Sequence, residues 1–173
     1  MSVRDEGVFV VVLMKTKNQT PKVLLQIRKN TGLHDGEFVF PGGKRNNNET
    51  WLDAAHRELY EETGLLVNKD KIQKLCQFGG RDQRGAQWLV MFYLCFIDSC
   101  WGTGEVKEPK KHSKVEWHSL DNLPKKTPLI IHKVISVLKS LLAEDSHSHK
   151  ARKIVSAGLR DVISDIRKNM IVF

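Results

Sequence analysis

An α/β fold, with helices covering a mixed β-sheet, is what this 173-residue sequence predicts. Three observations carry the prediction: β-branched runs too short to be helices, amphipathic helical patterns set between and after them, and turn residues separating the two. The first strand is Val8-Phe-Val-Val-Val-Leu-Met14, and Lys22 to Arg28 follows the turn-like Asn18-Gln-Thr-Pro21. Asn30 to Gly36 has loop composition. Glu37-Phe-Val-Phe40 is a short strand that stops at Pro41-Gly42-Gly43. From Thr50 to Thr63 the pattern turns helical: Thr50 is a capping residue, Leu52, Ala55 and Leu59 form an i, i+3, i+7 stripe, and Gly64 stands at the C-terminal cap.

Ile72 to Phe78, Gln87 to Ile97 and Lys114 to His118 read as further strands, with Trp101-Gly-Thr-Gly104 as a turn-rich break. Thr127-Pro128 suggests a cap followed by proline at the first helical position, and Ile131, Val134, Leu138 and Leu142 supply that helix's apolar face. Ser146 to His149 has linker composition. Beyond it Val155, Leu159, Val162, Ile166 and Met170 mark a third amphipathic helix. The expected organisation is one domain over residues 1–145 and a basic helical extension over 146–173, packed on the domain or on a second subunit, so a monomer or homodimer.

Composition excludes several classes. A hydrophobic fraction of 40% rules out a disordered chain. The longest apolar run, Trp88 to Ile97, is about half of the roughly 20 residues that cross a bilayer. Charges at Arg4, Asp5 and Glu6 stand where a signal peptide is apolar, so a soluble, unexported, cytoplasmic chain is expected, with no membrane partner. Cys76, Cys95 and Cys100 are odd in number and lack a C-x-x-C spacing, which points to free thiols rather than disulfides or zinc. Lys+Arg exceed Asp+Glu by 28 to 20. That balance suits a polyanionic partner without choosing among nucleotide, nucleic acid and anionic membrane.

The chemistry concentrates between Gly43 and Leu65. At about 100° per residue, Glu58, Glu61 and Glu62 share an arc of roughly 100° on one helix, beside the apolar stripe. Three acids within one turn repel each other unless a cation sits among them. A solvated, salt-bridged face does not account for them, because no Lys or Arg stands at positions 62, 65 or 66. Hard divalent cations take oxygen ligands of this kind, with waters and substrate phosphates completing the shell. Arg57, four residues before Glu61, can hold that carboxylate in place. Without metal, at least one of the three carboxyls is expected to titrate above its ordinary value.

The segment reads Gly43, five residues, Glu49, seven residues, then Arg57-Glu58-Leu59-Tyr60-Glu61-Glu62-Thr63-Gly64-Leu65. It resembles the Nudix box, G-x5-E-x7-R-E-U-x-E-E-x-G-U with U a bulky aliphatic residue, at every specified position. With residues each used at about 5–7%, chance gives odds of order one in 10⁹ per starting position. Phe40-Pro-Gly-Gly-Lys44 resembles the entry to the box in MutT-type members, and the likeness extends from about residue 5 to 143. The resemblance implies the Nudix fold, an α/β/α sandwich with a mixed sheet, here with an extra C-terminal helix. It also implies a Mg²⁺- or Mn²⁺-dependent pyrophosphohydrolase acting on a nucleoside diphosphate linked to another group. By the same resemblance Glu58, Glu61 and Glu62 are metal ligands, joined by the backbone carbonyl at Gly42 or Gly43. Glu58 and Glu108 compete for the role of general base.

Arg28 stands where MutT-type enzymes carry a phosphate-contacting arginine, and Lys44 and Lys126 are further candidates for binding substrate. Glu108-Pro-Lys-Lys-His-Ser-Lys-Val-Glu-Trp117 resembles the acid-bearing loop and following strand of nucleoside triphosphate pyrophosphatases in the family. Glu108 is therefore favoured over Glu105 as an extra ligand or base. Where the oxidised-guanine enzyme reads its base with Asn, this chain has Lys126, which argues against that specificity. The expected reaction is hydrolysis of a (d)NTP to the monophosphate and pyrophosphate. The alternatives are ADP-ribose-type, dinucleoside polyphosphate or capped-RNA substrates, or a module that binds nucleotide or RNA. An ADP-ribose class-marking proline downstream of the box is not recognisable, and RNA is the less favoured partner. Of the aromatic residues, Trp101 and Phe9 are candidates to stack on a base, with core packing favoured for Phe9.

Overall fold

The computed structural model describes residues 5–16, 19–30, 34–81 and 85–147. The extension over 148–173, with the expected third helix, lies outside the described residues. In chain order the elements are β1 (Asp5–Thr16), β2 (Gln19–Arg28), β3 (Phe38–Val39), β4 (Gly42–Lys44), α1 (Trp51–Thr63), β5 (Leu65–Val67), β6 (Gln73–Arg81), β7 (Gln87–Phe96), β8 (Cys100–Gly102), β9 (His112–Ser119) and α2 (Leu129–His147). The main sheet runs β3-β2-β1-β7-β6, with β4 paired to β1 and β9 to β2. Only β1 and β7 pair in parallel within it, so the sheet is mixed as expected.

The period-2 rule explains the two-sided core. Val8, Val10 and Val12 of β1 face α1, where Ala54, Ala55 and Leu59 are buried against them. Val11 and Leu13 face the other way, into a second cluster closed by Ile131, Val134, Ile135 and Leu138 of α2. This is an α/β/α sandwich. Phe9 belongs to the α2 side and stacks on Phe92 at 5.6 Å, so it is core rather than a base platform.

Several expectations change at element ends. Gln19 to Pro21 are strand, because β2 pairs antiparallel with β1 from Thr16 opposite Gln19 onward. Trp101 and Gly102 belong to β8, which pairs with β5 in a small second sheet. Pro128 is not the first helical residue: α2 begins at Leu129, the Pro128 carbonyl accepts its first bonds, and the Thr127 hydroxyl donates to the Pro124 carbonyl instead. Ser146 and His147 continue α2 instead of starting a linker. Cys76, Cys95 and Cys100 are free thiols, as the sequence indicates.

Candidate active site

Helix α1 is defined by its caps. The Asp53 N–H donates to the Thr50 hydroxyl at 3.1 Å, and Gly64, at φ +69°, closes the last turn by donating to the Tyr60 carbonyl. With Ala55 and Leu59 fixed against β1, Glu58 and Glu62 lie along the helix edge over β4 and β2. No basic residue stands in the last turn. Glu61 and Glu62 therefore face the negative end of the helix dipole, a placement that costs stability unless a cation offsets it.

One such cation is internal. Arg57 donates through Nε and Nη2 to both oxygens of Glu49 (2.6 and 3.0 Å), and through Nη1 to Glu58 Oε1 (2.7 Å) and Glu61 Oε2 (3.0 Å). Its Nη2 also donates to the Lys44 carbonyl at 3.2 Å, tying β4 to the helix. Hydrogen bonds to Glu49 raise the Arg57 pKa further, and the same bonds hold Glu49 below its ordinary value.

Glu62 lies beyond this hub. It is 3% exposed and accepts from the Gly42 N–H at 2.6 Å and from Gln26 Nε2 at 2.5 Å. Burial, reinforced by the charges of Glu58 and Glu108, pushes its pKa up to about 8 against the opposing hydrogen bonds. Burial also raises Glu58, with Arg57 opposing. These directions match the expectation drawn from three acids on one arc. The two glycines make the approach possible. Gly42 sits at φ +153°, and a side chain at Gly43 would meet Glu58 Oε2 at 2.8 Å.

The loop before β9 completes the site. The Glu105 and Lys107 N–H groups donate to the carbonyls of Thr63 and Glu62, both at 2.9 Å, while Lys29 N–H donates to the Lys111 carbonyl at 2.6 Å. Pinned at both ends, the loop delivers Glu108 and His112 to Glu62. Glu108 Oε1 accepts from Lys111 Nζ at 2.8 Å, and its buried Oε2 has no partner. His112 is 2% exposed, with Nε2 3.2 Å from Glu62 Oε1 and 3.1 Å from Gln26 Nε2. Burial first, then the charge of Arg28, pushes its pKa down to about 4, so the ring is neutral. In the Glu62–His112 contact burial thus disfavours the charged form of both partners. Donor atoms of Glu62, Glu108 and His112 lie within 4.8 Å of one another, a group able to hold a metal ion.

The candidate residues fall into three places. Glu62 and Glu108 come together, with Glu58 alongside, and Arg28 sits in register opposite His112. Glu61 points outward to Arg57, its side chain 45% exposed. Lys44 is exposed and pairs with Asp5 at 3.1 Å, and Lys126 is exposed with its carbonyl accepting from Phe38 N–H. Gln26 and His112 are additions that sequence reasoning missed. The signal for Gln26 was a lone polar residue inside Val23-Leu-Leu-Gln-Ile27; for His112 it was a histidine four residues after Glu108.

Carboxylates from a capped helix, a glycine pair beside them, and an acid and a histidine from the loop before β9 thus form a group able to hold a metal ion. The family model described as NUDIX domain matches residues 3–137. The chain belongs to the Nudix family. An ADP-ribose pyrophosphatase from Methanocaldococcus jannaschii is 36% identical over 104 residues, 60% of this chain and 58% of that protein. The 8-oxo-dGDP phosphatase NUDT18 of Mus musculus is 28% identical over 139 residues, 78% of this chain and 39% of that protein. The chain thus spans little more than half the length of such relatives, or less. Among solved structures, a MutT Nudix hydrolase from Burkholderia pseudomallei superposes with a TM-score of 0.65 at 25% identity, covering 78% of this chain and 97% of the other. No helix among the described residues is long and apolar enough to cross a membrane.

Proposed function

We propose that this domain is a divalent-cation-dependent pyrophosphohydrolase whose substrate is a nucleoside diphosphate linked to a further group, with ADP-ribose-type compounds first. The observation that carries the reaction class is the buried, under-compensated acid cluster: Glu62 with a raised pKa beside a Glu108 oxygen that has no partner. That orphaned oxygen fits a cation, which would be held by Glu62, Glu108 and the Gly43 carbonyl, with Glu61 joining them by leaving Arg57. When bound, such an ion offsets charge on phosphate oxygens and on the leaving phosphate.

The chain's own groups supply the rest. Glu58, raised by burial and held by Arg57, is the proposed general base, with Glu108 assigned to the cation. Glu58 takes a proton from water as the water oxygen bonds to phosphorus and the bridging P–O bond breaks; the proton then passes to the leaving phosphate. Arg28, in register opposite His112, and Lys111, paired with Glu108, bring positive charge to the site that draws in the diphosphate.

The substrate class rests on the relatives, one named for ADP-ribose and one for a nucleoside diphosphate, and neither for a triphosphate. They support the alternative reading better than cleavage of a (d)NTP. Product identification tests it. ADP-ribose gives AMP and ribose 5-phosphate, a nucleoside diphosphate gives monophosphate and phosphate, and a triphosphate gives monophosphate and pyrophosphate. Turnover fastest on a triphosphate would overturn the proposed substrate class, and turnover persisting in EDTA would overturn the metal dependence.

A further inference from the structure

We propose that His112 is a nitrogen ligand which, with Glu62 and Glu108, makes the cluster a site that favours first-row transition ions, Mn²⁺ among them, over Mg²⁺. The inference deepens the metal-dependent reading above and rests on it.

Geometry comes first. His112 Nε2 and Glu62 Oε1 are 3.2 Å apart, and ligands bonded at roughly 2.0–2.2 Å on adjacent positions of one ion lie about 3 Å apart. Two buried polar atoms in the cluster, Glu108 Oε2 and His112 Nδ1, have no partner. An unpaired buried carboxylate oxygen is costly, so an occupant that takes up the lone pairs of Glu108 Oε2 is favoured there. The imidazole is nine-tenths buried and held in place by the backbone. Its residue pairs with Arg28 across β2 and β9, and its N–H donates to the Glu108 carbonyl at 3.0 Å. Two of the three ligands therefore come from one tight turn, and the third comes from a capped helix.

Chemistry then sets the preference. Mg²⁺ takes oxygen ligands and keeps its waters, whereas imidazole suits first-row transition ions, Fe, Ni, Cu and Zn above all, with Mn²⁺ the weakest of that series. A carboxylate trio would leave that choice to supply in the cell; a buried histidine biases it.

The test uses the full chain, stripped of metal. Mn²⁺ is added and pulsed electron paramagnetic resonance reads nitrogen coupling to the ion, while free Mn²⁺ gives the affinity and Mg²⁺ competition gives the ratio. The expected result is directly bound ¹⁴N modulation, Mn²⁺ at least about tenfold tighter than Mg²⁺, and loss of both in His112→Gln with Mg²⁺ affinity changed less than about threefold. Bound Mn²⁺ without nitrogen modulation overturns the inference and leaves the metal-dependent reading standing. Absence of any divalent-ion binding by the native chain overturns both. The nitrogen signal is read on the native chain, so the result does not depend on the variant folding.

Discussion

The glutamates in and around helix α1 divide into two environments that differ in what neutralises them. Glu49, Glu58 and Glu61 gather on Arg57, whose guanidinium spreads four charge-assisted bonds among them at 2.6 to 3.0 Å. Glu62, one residue further on, has no cation of its own. It is held by an amide, a backbone N–H and a neutral histidine, and keeps company with Glu108. The first group is satisfied within the protein. The second is held for something that is not protein, because hydrogen bonds alone do not offset the desolvation of a buried carboxylate.

The sharpest way to break this contrast is to remove charge from each side in turn. Glu62→Gln should lower kcat by about three orders of magnitude on the substrate identified by product analysis, with the fold retained in circular dichroism. Near-normal turnover would remove Glu62 from the site. Glu61→Gln, on the exposed side, should cost about two orders, a smaller loss that separates a shared carboxylate from a buried one. Arg57→Ala leaves Glu49, Glu58 and Glu61 without their common partner. A stability loss of roughly 1–3 kcal/mol in urea unfolding is expected, since the guanidinium is mostly shielded.

A fourth prediction uses pH. Glu62 binds its proton more tightly in the folded chain, at about 8, than at the ordinary 4.5. The folded state therefore holds the extra proton between these values, and stability falls as pH rises through that window. Thermal unfolding in EDTA should show a melting temperature declining from pH 5 to 9, and saturating Mn²⁺ should flatten the decline. A melting temperature that climbs with pH in EDTA would contradict the assignment. The smallest effect belongs to Lys44→Ala: its side chain is 72% exposed and pairs only with an equally exposed Asp5, so KM should change by less than about threefold.

Much of the architecture was legible because it is written in local periodicity. The alternation of β1 sorts Val8, Val10 and Val12 from Val11 and Leu13, and the caps Thr50 and Gly64 bound α1 within a residue. The strands that escaped notice, β4, β5 and β8, have three residues each, and β4 begins with two glycines. Such strands exist only because a partner is already in place, so no local pattern announces them. At the start of α2 the difference is one of position: the helix begins at Leu129, the Pro128 carbonyl accepts its first N–H bonds, and Thr127 lies one residue too early to cap it.

Within the site, the box residues declared themselves by spacing alone, since a helix converts sequence intervals into angles. The sequence by itself therefore determined the family, the sandwich and a crowded arc of carboxylates. Only the tertiary structure decided which of them Arg57 neutralises and which is left beside Glu108, because that depends on where β2, β4 and the loop before β9 come to rest. It also brought in Gln26 and His112, 86 positions apart in the chain and 3.1 Å apart in space. Pairing of β2 with β9 creates that contact, and long-range strand pairing is the one relation a residue's own neighbours do not encode.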